Sequence, residues 1–581
     1  MSAPTAVRRS TLIAAAFVAL SAVLMAAWTW RRWADPIVDF GGEAYLAWRL
    51  AEGDVLYRDL ANFIGPLASY TQALGMKLFG VSLTTVALVG LAQLALVLAL
   101  LFRLCARLAN EFAAAIACVG FTTLCGLALH SGAGNYNFVW PYSQDLPLAI
   151  ALALLAFELA HHWLQRPRAP LAFGVGLCLG LVVLTKVETT VALAAGLLAL
   201  WAAAPQPARE KLAHAKFALI GVAAPFALAV GLLSLAMPPL EALAGALGSW
   251  PHALRGDAAD FPLYRIAMGL EPLGYHLTRI AAWSAGTAVC VALVVWTARR
   301  WGSLAAGVCG GALGAAAFIA LPMKDALYPL SFYTLAALVF AIRTRAQSAN
   351  GALRVGWCAF ALLLLLRMAL NARVEFYGFA LAAPGVVVLL LALLDWIPSQ
   401  RFESAGAVRA GLLPLVAALL AGHLWPMAQA RRWNTLELGA GADRLIVSPR
   451  GQYLPEALAW VEERCPPGGS LLVLPEGALL NYLSRRRGPT RHFNFMPPEL
   501  VMFGEQAMLD ELMKSPPDVI LLVHRDTTEY GAPFFGRDYG RSLMEWVKAN
   551  YRASKLWSLA PNERPFEPGT RHAVAALERK R

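Results

Sequence analysis

The chain has 581 residues, of which 58% are hydrophobic and only 15% charged, a balance far from that of soluble globular proteins. A net charge of +12 would suit nucleic acid in a soluble chain, but here the first question is whether Lys and Arg mark one side of a bilayer. No Walker loop, dinucleotide-binding glycine fingerprint or HExxH helix is present, which argues against a nucleotide-driven pump.

Apolar runs of about 17 to 25 residues, enough to cross a hydrocarbon core of roughly 30 Å, recur along the first three quarters of the chain. They lie near 11–30, 82–104, 112–129, 145–163, 170–185, 188–204, 216–236, 274–298, 303–322, 326–342, 354–371, 377–396 and 407–426. The expected fold class is an α-helical polytopic membrane protein of about thirteen spans over residues 1–437, with a soluble C-terminal α/β domain over 438–581. Basic residues gather in alternate loops: Arg8 and Arg9, Arg103 and Arg107, Arg166 and Arg168, Arg209 with Lys211 and Lys216, Arg299 and Arg300, Arg343 with Arg345 and Arg354, Arg401 with Arg409. The positive-inside rule then makes the N-terminus cytoplasmic. An odd number of spans puts the C-terminal domain on the extracytoplasmic side of a cell inner membrane.

In chain order, the first outer loop (31–81) gathers Asp35, Asp39, Glu43, Glu52, Asp54 and Asp59 directly after a span. Asp39 and Glu43 are four apart, so a helix starting near Asp39 carries both carboxylates on one face, where an acid can serve as general base. The competing reading is a solvated N-cap complementing the helix dipole. An amphipathic helix follows, with Tyr45, Leu46, Trp48, Leu50 and Ala51 interleaved with Glu43, Arg49 and Glu52. The run 66–79 is too short to span and is expected in the interface. Asp145 stands where the loop 135–144 enters the fourth span, as a cap or a site residue.

Lys186 and Glu188 occupy a short outer turn at the membrane boundary, where ionisable groups are costly unless paired or wet. A simple ion pair and a functional site both fit. A second long outer segment covers 237–272, and segments of that length in a compact bundle usually carry function. Lys324 with Asp325, and Arg367, Arg373 and Glu375, mark two further outer turns. In the C-terminal region, helices are expected at 455–464, 477–483 and 541–551 and buried strands at 470–474 and 519–523.

Together the loop around Asp39, the segments Leu56-Tyr57-Arg58-Asp59 and Gly65-Pro66-Leu67, Asp145, Leu184-Thr185-Lys186, Tyr377-Gly378-Phe379 and the outer C-terminal domain resemble the GT-C superfamily of polyprenol-phosphate-sugar-dependent glycosyltransferases. Within it, the pattern looks like the bacterial members related to protein O-mannosyltransferases, the lipid A aminoarabinose transferase and the Rgt-type lipopolysaccharide sugar transferases. The resemblance implies an inverting transfer from a polyprenyl-phosphate sugar to a hydroxyl on a lipid, glycan or protein acceptor. It implies Asp39 as general base and Asp145 as second acid. Lys186 with Arg373 would neutralise the donor phosphate, and Glu43, Asp59 and Glu188 would support, Glu188 by holding Lys186. One departure is Phe40-Gly41-Gly42 after Asp39, where the group often has another acid or a basic residue. The acids of the first loop leave room for a divalent metal, although their spacing is not diagnostic. A polytopic lipid or saccharide transporter is the alternative, and would be expected to show ionisable groups near the bilayer midplane.

Overall fold

The computed structural model describes residues 9–129, 137–256, 260–344, 348–560 and 563–580, without the side chains of Phe376 and Tyr377. Arg8, Asn135, Tyr136, Arg345 and the Tyr377 side chain, all part of the expectations above, lie outside the described set.

Long apolar segments become helices because a helix satisfies its own backbone hydrogen bonds without water. The chain opens with α1 (Arg9–Thr29), then α2 (Phe40–Ala51) and α3 (Pro66–Phe79) in the first outer loop, α4 (Leu83–Leu108) and α5 (Glu111–Phe121). It continues with α6 (Asp145–Gln165), α7 (Ala169–Val183), α8 (Val187–Ala203) and α9 (Ala208–Ser234). Three short helices follow, α10 (Pro239–Leu247), α11 (Trp250–Arg255) and α12 (Pro262–Met268), within the second long outer segment. Then come α13 (Leu273–Ala320), α14 (Leu330–Thr344), α15 (Ala349–Leu365) and two helical stretches, Phe379–Arg401 and Ala405–Trp433.

Among the described residues, eight helices are long and apolar enough to cross a membrane, and four further apolar helices are shorter. The 48-residue α13 holds two of the expected spans, parted at Gly302, whose φ of 79° a side chain would resist. The run 66–79 is helical, and Leu74, Leu78 and Phe79 project from α3 uncovered. The interior of the bundle is closed by large buried rings, among them Trp140, Trp357, Trp396 and Phe360.

From Leu436 the chain forms strands. β1 (Leu436–Leu438) pairs with β2 (Leu445–Val447), and β3 (Leu471–Leu474), β4 (Val519–Val523), β5 (Tyr551–Ser558) and β6 (Ala573–Arg579) build a sheet of order β3-β4-β6-β5. β3 and β4 run parallel, and β6 is antiparallel to both β4 and β5. The helices Leu454–Arg464, Ala478–Ser484 and Arg541–Asn550 agree with the expected pattern to within a residue or two. β5 and β6 are additions: β5 alternates only weakly in polarity and β6 is alanine-rich, so neither reads as a strand.

The C-terminal domain is docked on the first outer loop and on the N-terminal end of α4. The Leu83 and Thr84 groups at that end donate to Asp443 Oδ1 at 2.7 Å and to the Ala442 carbonyl at 2.6 Å. Gly488 N donates to Tyr45 Oη at 2.8 Å, Ala61 N to the Arg491 carbonyl at 2.9 Å, and Arg487 pairs with Glu52 at 2.8 Å. Gly41 is required by a close approach: a Cβ there would collide with the backbone of Leu479.

Candidate active site

Between the first outer loop and the C-terminal domain lies a cleft. One wall carries Asp39, Glu43 and Asn62, the other Glu476, His492, Asn494 and Glu499, and Tyr142 also lines the cleft.

Asp39 holds the N-cap position of α2, but its carboxylate makes no capping hydrogen bond, so the plain N-cap role is not the one adopted. Its backbone lies at φ 54°, ψ −68°, a region that costs a residue with a side chain about 1–3 kcal/mol and recurs at functional sites. The conformation is held from the C-terminal domain, where Glu476 Oε1 accepts the Asp39 N–H at 2.8 Å. Asp39 is open to the cleft on one side and surrounded by protein on the others. That surrounding, followed by the Glu476 carboxylate, raises its pKa well above the ordinary aspartate range, against the pull of Arg525 and Lys186.

Asp35, the rival acid in the loop, is consumed structurally. Its Oδ1 accepts the N–H groups of Ile37 and Val38 at 2.9 Å each, and its Oδ2 receives Arg450 at 2.8 Å. Glu43 faces the cleft one helical turn after Asp39. Burial first, then the Asp145 carboxylate behind it, raise the Glu43 pKa, and the Gln144 N–H that it accepts opposes them.

Asp145 begins α6 and is buried, its Oδ2 accepting Ser143 Oγ at 3.1 Å. It is not on the cleft wall; it stands behind Glu43, and Oδ1 has no partner within the protein. Lys186 caps α8, with Nζ 5.2 Å from the centre of the Tyr142 ring, within electrostatic reach of Asp39, Glu43 and Asp145. The turn that carries it is laced to the first outer loop, since Gly65 N and Leu67 N donate to the carbonyls of Thr185 at 3.1 Å and Leu184 at 3.2 Å.

Three expected contacts come out differently. Glu188 does not hold Lys186 but lies 3.9 Å from Arg367, because residues two apart at a helix start point to different sides. Arg373 donates to Asn371 Oδ1 at 2.8 Å and lies 3.6 Å from Glu375, over the Tyr328 ring, among residues that do not line the cleft. Asp59 pairs with its neighbour Arg58 at 2.7 Å and accepts Val55 N–H at 2.8 Å, which makes it a turn-former. Arg367 instead stacks on Tyr264, 4.6 Å from its centre, at the Lys186 side of the site.

The residues that the linear sequence does not single out are Glu476, Glu499 and Arg525. Arg525 Nε lies 3.2 Å from Glu476 Oε2, and both residues stand just past the C-terminal ends of the parallel strands β3 and β4. That is the edge where open α/β sheets place ligand sites, and Pro475-Glu476-Gly477 directly after a buried strand was the signal available for it. Of the cleft carboxylates, Glu476 is engaged by the Asp39 N–H and by Arg525. Among the described residues, no three Asp, Glu, His or Cys side chains converge as a metal site.

No protein-family description matches the chain, and no curated protein matches it. Among solved structures it is similar to the oligosaccharyltransferase AglB of Archaeoglobus fulgidus, in complex with an inhibitory peptide and a dolichol-phosphate. That similarity has 13% identity over 88% of this chain and 69% of that one, at a TM-score of 0.48. It is also similar to ArnT of Cupriavidus metallidurans in the apo state, at 14% identity over 98% of both chains and a TM-score of 0.42. The same ArnT bound to undecaprenyl phosphate gives 14% identity over 97% of this chain and 98% of that one, at 0.38.

Proposed function

We propose that this chain is a multi-pass plasma-membrane glycosyltransferase that moves a sugar from a polyprenyl-phosphate donor to an acceptor hydroxyl at the extracytoplasmic surface. The observation that carries the reading is the Asp39 carboxylate. It is uncapped, held in a strained backbone by a second domain, and presented to a cleft with a cation, Lys186, close by. The sidedness in this reading is supported by α4 and α6, whose N-terminal ends are opposite the ends carrying Arg103, Arg107, Arg166 and Arg168.

In this mechanism Asp39 accepts the proton of the acceptor hydroxyl as its oxygen bonds to the anomeric carbon. The bond from that carbon to the phosphate oxygen breaks, and the electron pair leaves with the polyprenyl phosphate, whose charge Lys186 balances. Attack opposite the phosphate inverts the anomeric centre. Glu43 and Asp145 lie within electrostatic reach of Lys186, and Glu476 fixes Asp39. The acceptor is a lipid, glycan or protein hydroxyl, and the steps assigned here need no metal.

The test is sugar transfer from labelled polyprenyl-phosphate sugars to membrane extract by the purified wild type and Asp39→Asn. Transfer by the wild type and its loss in a well-folded Asp39→Asn are expected. Retained transfer by the variant removes Asp39 as the base.

A further inference from the structure

The far wall of the cleft holds polar atoms with nothing to bond. Glu499 is nine-tenths buried; its Oε1 accepts Asn494 Nδ2 at 2.8 Å, while its Oε2 has no partner. Asn494 Oδ1 is also unpartnered, and so is Nδ1 of His492, which is 3% exposed and leans on Phe503. All three residues line the cleft opposite Asp39 and Glu43. Leaving buried polar groups unsatisfied is unfavourable, and a ligand in the adjoining cleft would complete them. Burial also pushes the Glu499 carboxyl up to about 8, so that it can donate as well as accept a hydrogen bond near neutral pH. His492 is held neutral by burial, its pKa lowered despite Glu511 at 3.5 Å.

The charge of the walls narrows the ligand. Asp39, Glu43, Glu476 and Glu499 line the cleft and no Lys or Arg does, among the described residues. An acidic group on the ligand would find no cation on these walls, whereas hydroxyls would find acceptors and a donor.

We propose that His492, Asn494 and Glu499 form a recognition wall for the hydroxyl groups of an uncharged carbohydrate, so that the C-terminal domain selects sugar identity at this site. The inference rests on the transferase reading for its place in a reaction, and on the unpartnered groups for its chemistry. The hydroxyls belong either to the donor's sugar or to a saccharide acceptor, and the two are separable by which substrate responds.

The experiment uses the full chain in lipid nanodiscs as wild type, Glu499→Met and Asn494→Leu. Equilibrium binding is measured for polyprenyl phosphate carrying mannose, glucose or glucuronic acid and for polyprenyl phosphate without sugar, alongside donor and acceptor KM values and Tm. The wild type is expected to prefer the neutral sugars to glucuronic acid. Each variant should weaken sugar-dependent binding, or raise the acceptor KM, by roughly tenfold and leave binding of the sugarless lipid unchanged, while Tm reads the separate cost of losing the hydrogen bond between Asn494 and Glu499.

A response confined to the sugar-bearing donor assigns the wall to the donor, and one confined to the acceptor KM assigns it to the acceptor; both support the proposal. Unchanged affinities and KM values in the variants, or equal use of glucuronic acid by the wild type, overturn it. Absence of transfer by the wild type from every donor would instead overturn the transferase reading, while the binding measurements still decide the role of the wall. Should Glu499→Met fail to fold, Asn494→Leu, at a half-buried site, gives the same readouts.

Discussion

Removing the charge of Glu476 tests the coupling between the two domains at the point where it reaches the chemistry. Glu476 Oε1 lies 2.8 Å from the Asp39 nitrogen, which places the two carboxyl groups about 6 Å apart, given ordinary residue dimensions. Two unit charges at about 6 Å and an effective dielectric near 20 interact by roughly 3 kcal/mol, or about two pH units. Water in the cleft reaches Asp39, and screening reduces this to about one unit.

The sign follows from the base role. A base with a raised pKa becomes active only as pH climbs through that pKa, so the acid limb of kcat/KM in the wild type should lie well above the usual aspartate range. In Glu476→Gln the like charge is gone and Arg525 is left unbalanced, both of which lower the Asp39 pKa. The acid limb should therefore move down by about one pH unit, and the plateau should fall modestly because a weaker base accepts the proton less readily. Gln keeps an oxygen for the Asp39 N–H, so the strained backbone is preserved. The assay is initial-rate sugar transfer across about pH 5 to 9, with enzyme stability checked at each end. An acid limb that stays in place or moves upward would refute both the assignment of Asp39 as base and the role of Glu476.

Lys186→Met should raise the donor KM by roughly ten- to a hundredfold, the worth of a charge-assisted hydrogen bond, as read by transfer kinetics. Arg373→Gln should change it by less than about threefold, because that guanidinium is engaged with Asn371 and Glu375 away from the cleft wall; a larger effect would restore its expected phosphate role. Gly41→Ala should lower stability by about 1–3 kcal/mol and loosen the docking of the C-terminal domain, because its new methyl collides with Leu479. Thermal unfolding and limited proteolysis of the two forms would show it.

The sequence alone determined the parts of this protein that depend on local composition. Runs of apolar residues must form helices in lipid whatever their neighbours do, so each expected span falls on a helical segment. Alternating strand and helix patterns were sufficient for β3, β4 and the helices around them. Asp39 and Glu43 were legible as a pair because helical spacing fixes which side chains share a face. Even Lys186 was marked, since a charge at a membrane boundary needs a reason.

Only the tertiary structure decided which acid is free. Asp59 pairs with the adjacent Arg58, a contact the local sequence contains, but Asp35 differs from Asp39 in what reaches it, an Arg450 from far along the chain. The same holds for Glu476, Arg525, Asn494 and Glu499, which lie more than four hundred residues from Asp39 and meet it only because the sheet edge of the second domain is docked on the first outer loop. Proximity across such separations is set by packing between domains, which no local period or motif encodes. β5 and β6 were invisible for a related reason: an edge strand with a polar face and an alanine-rich strand are stabilised by their pairing partners, not by their own preferences.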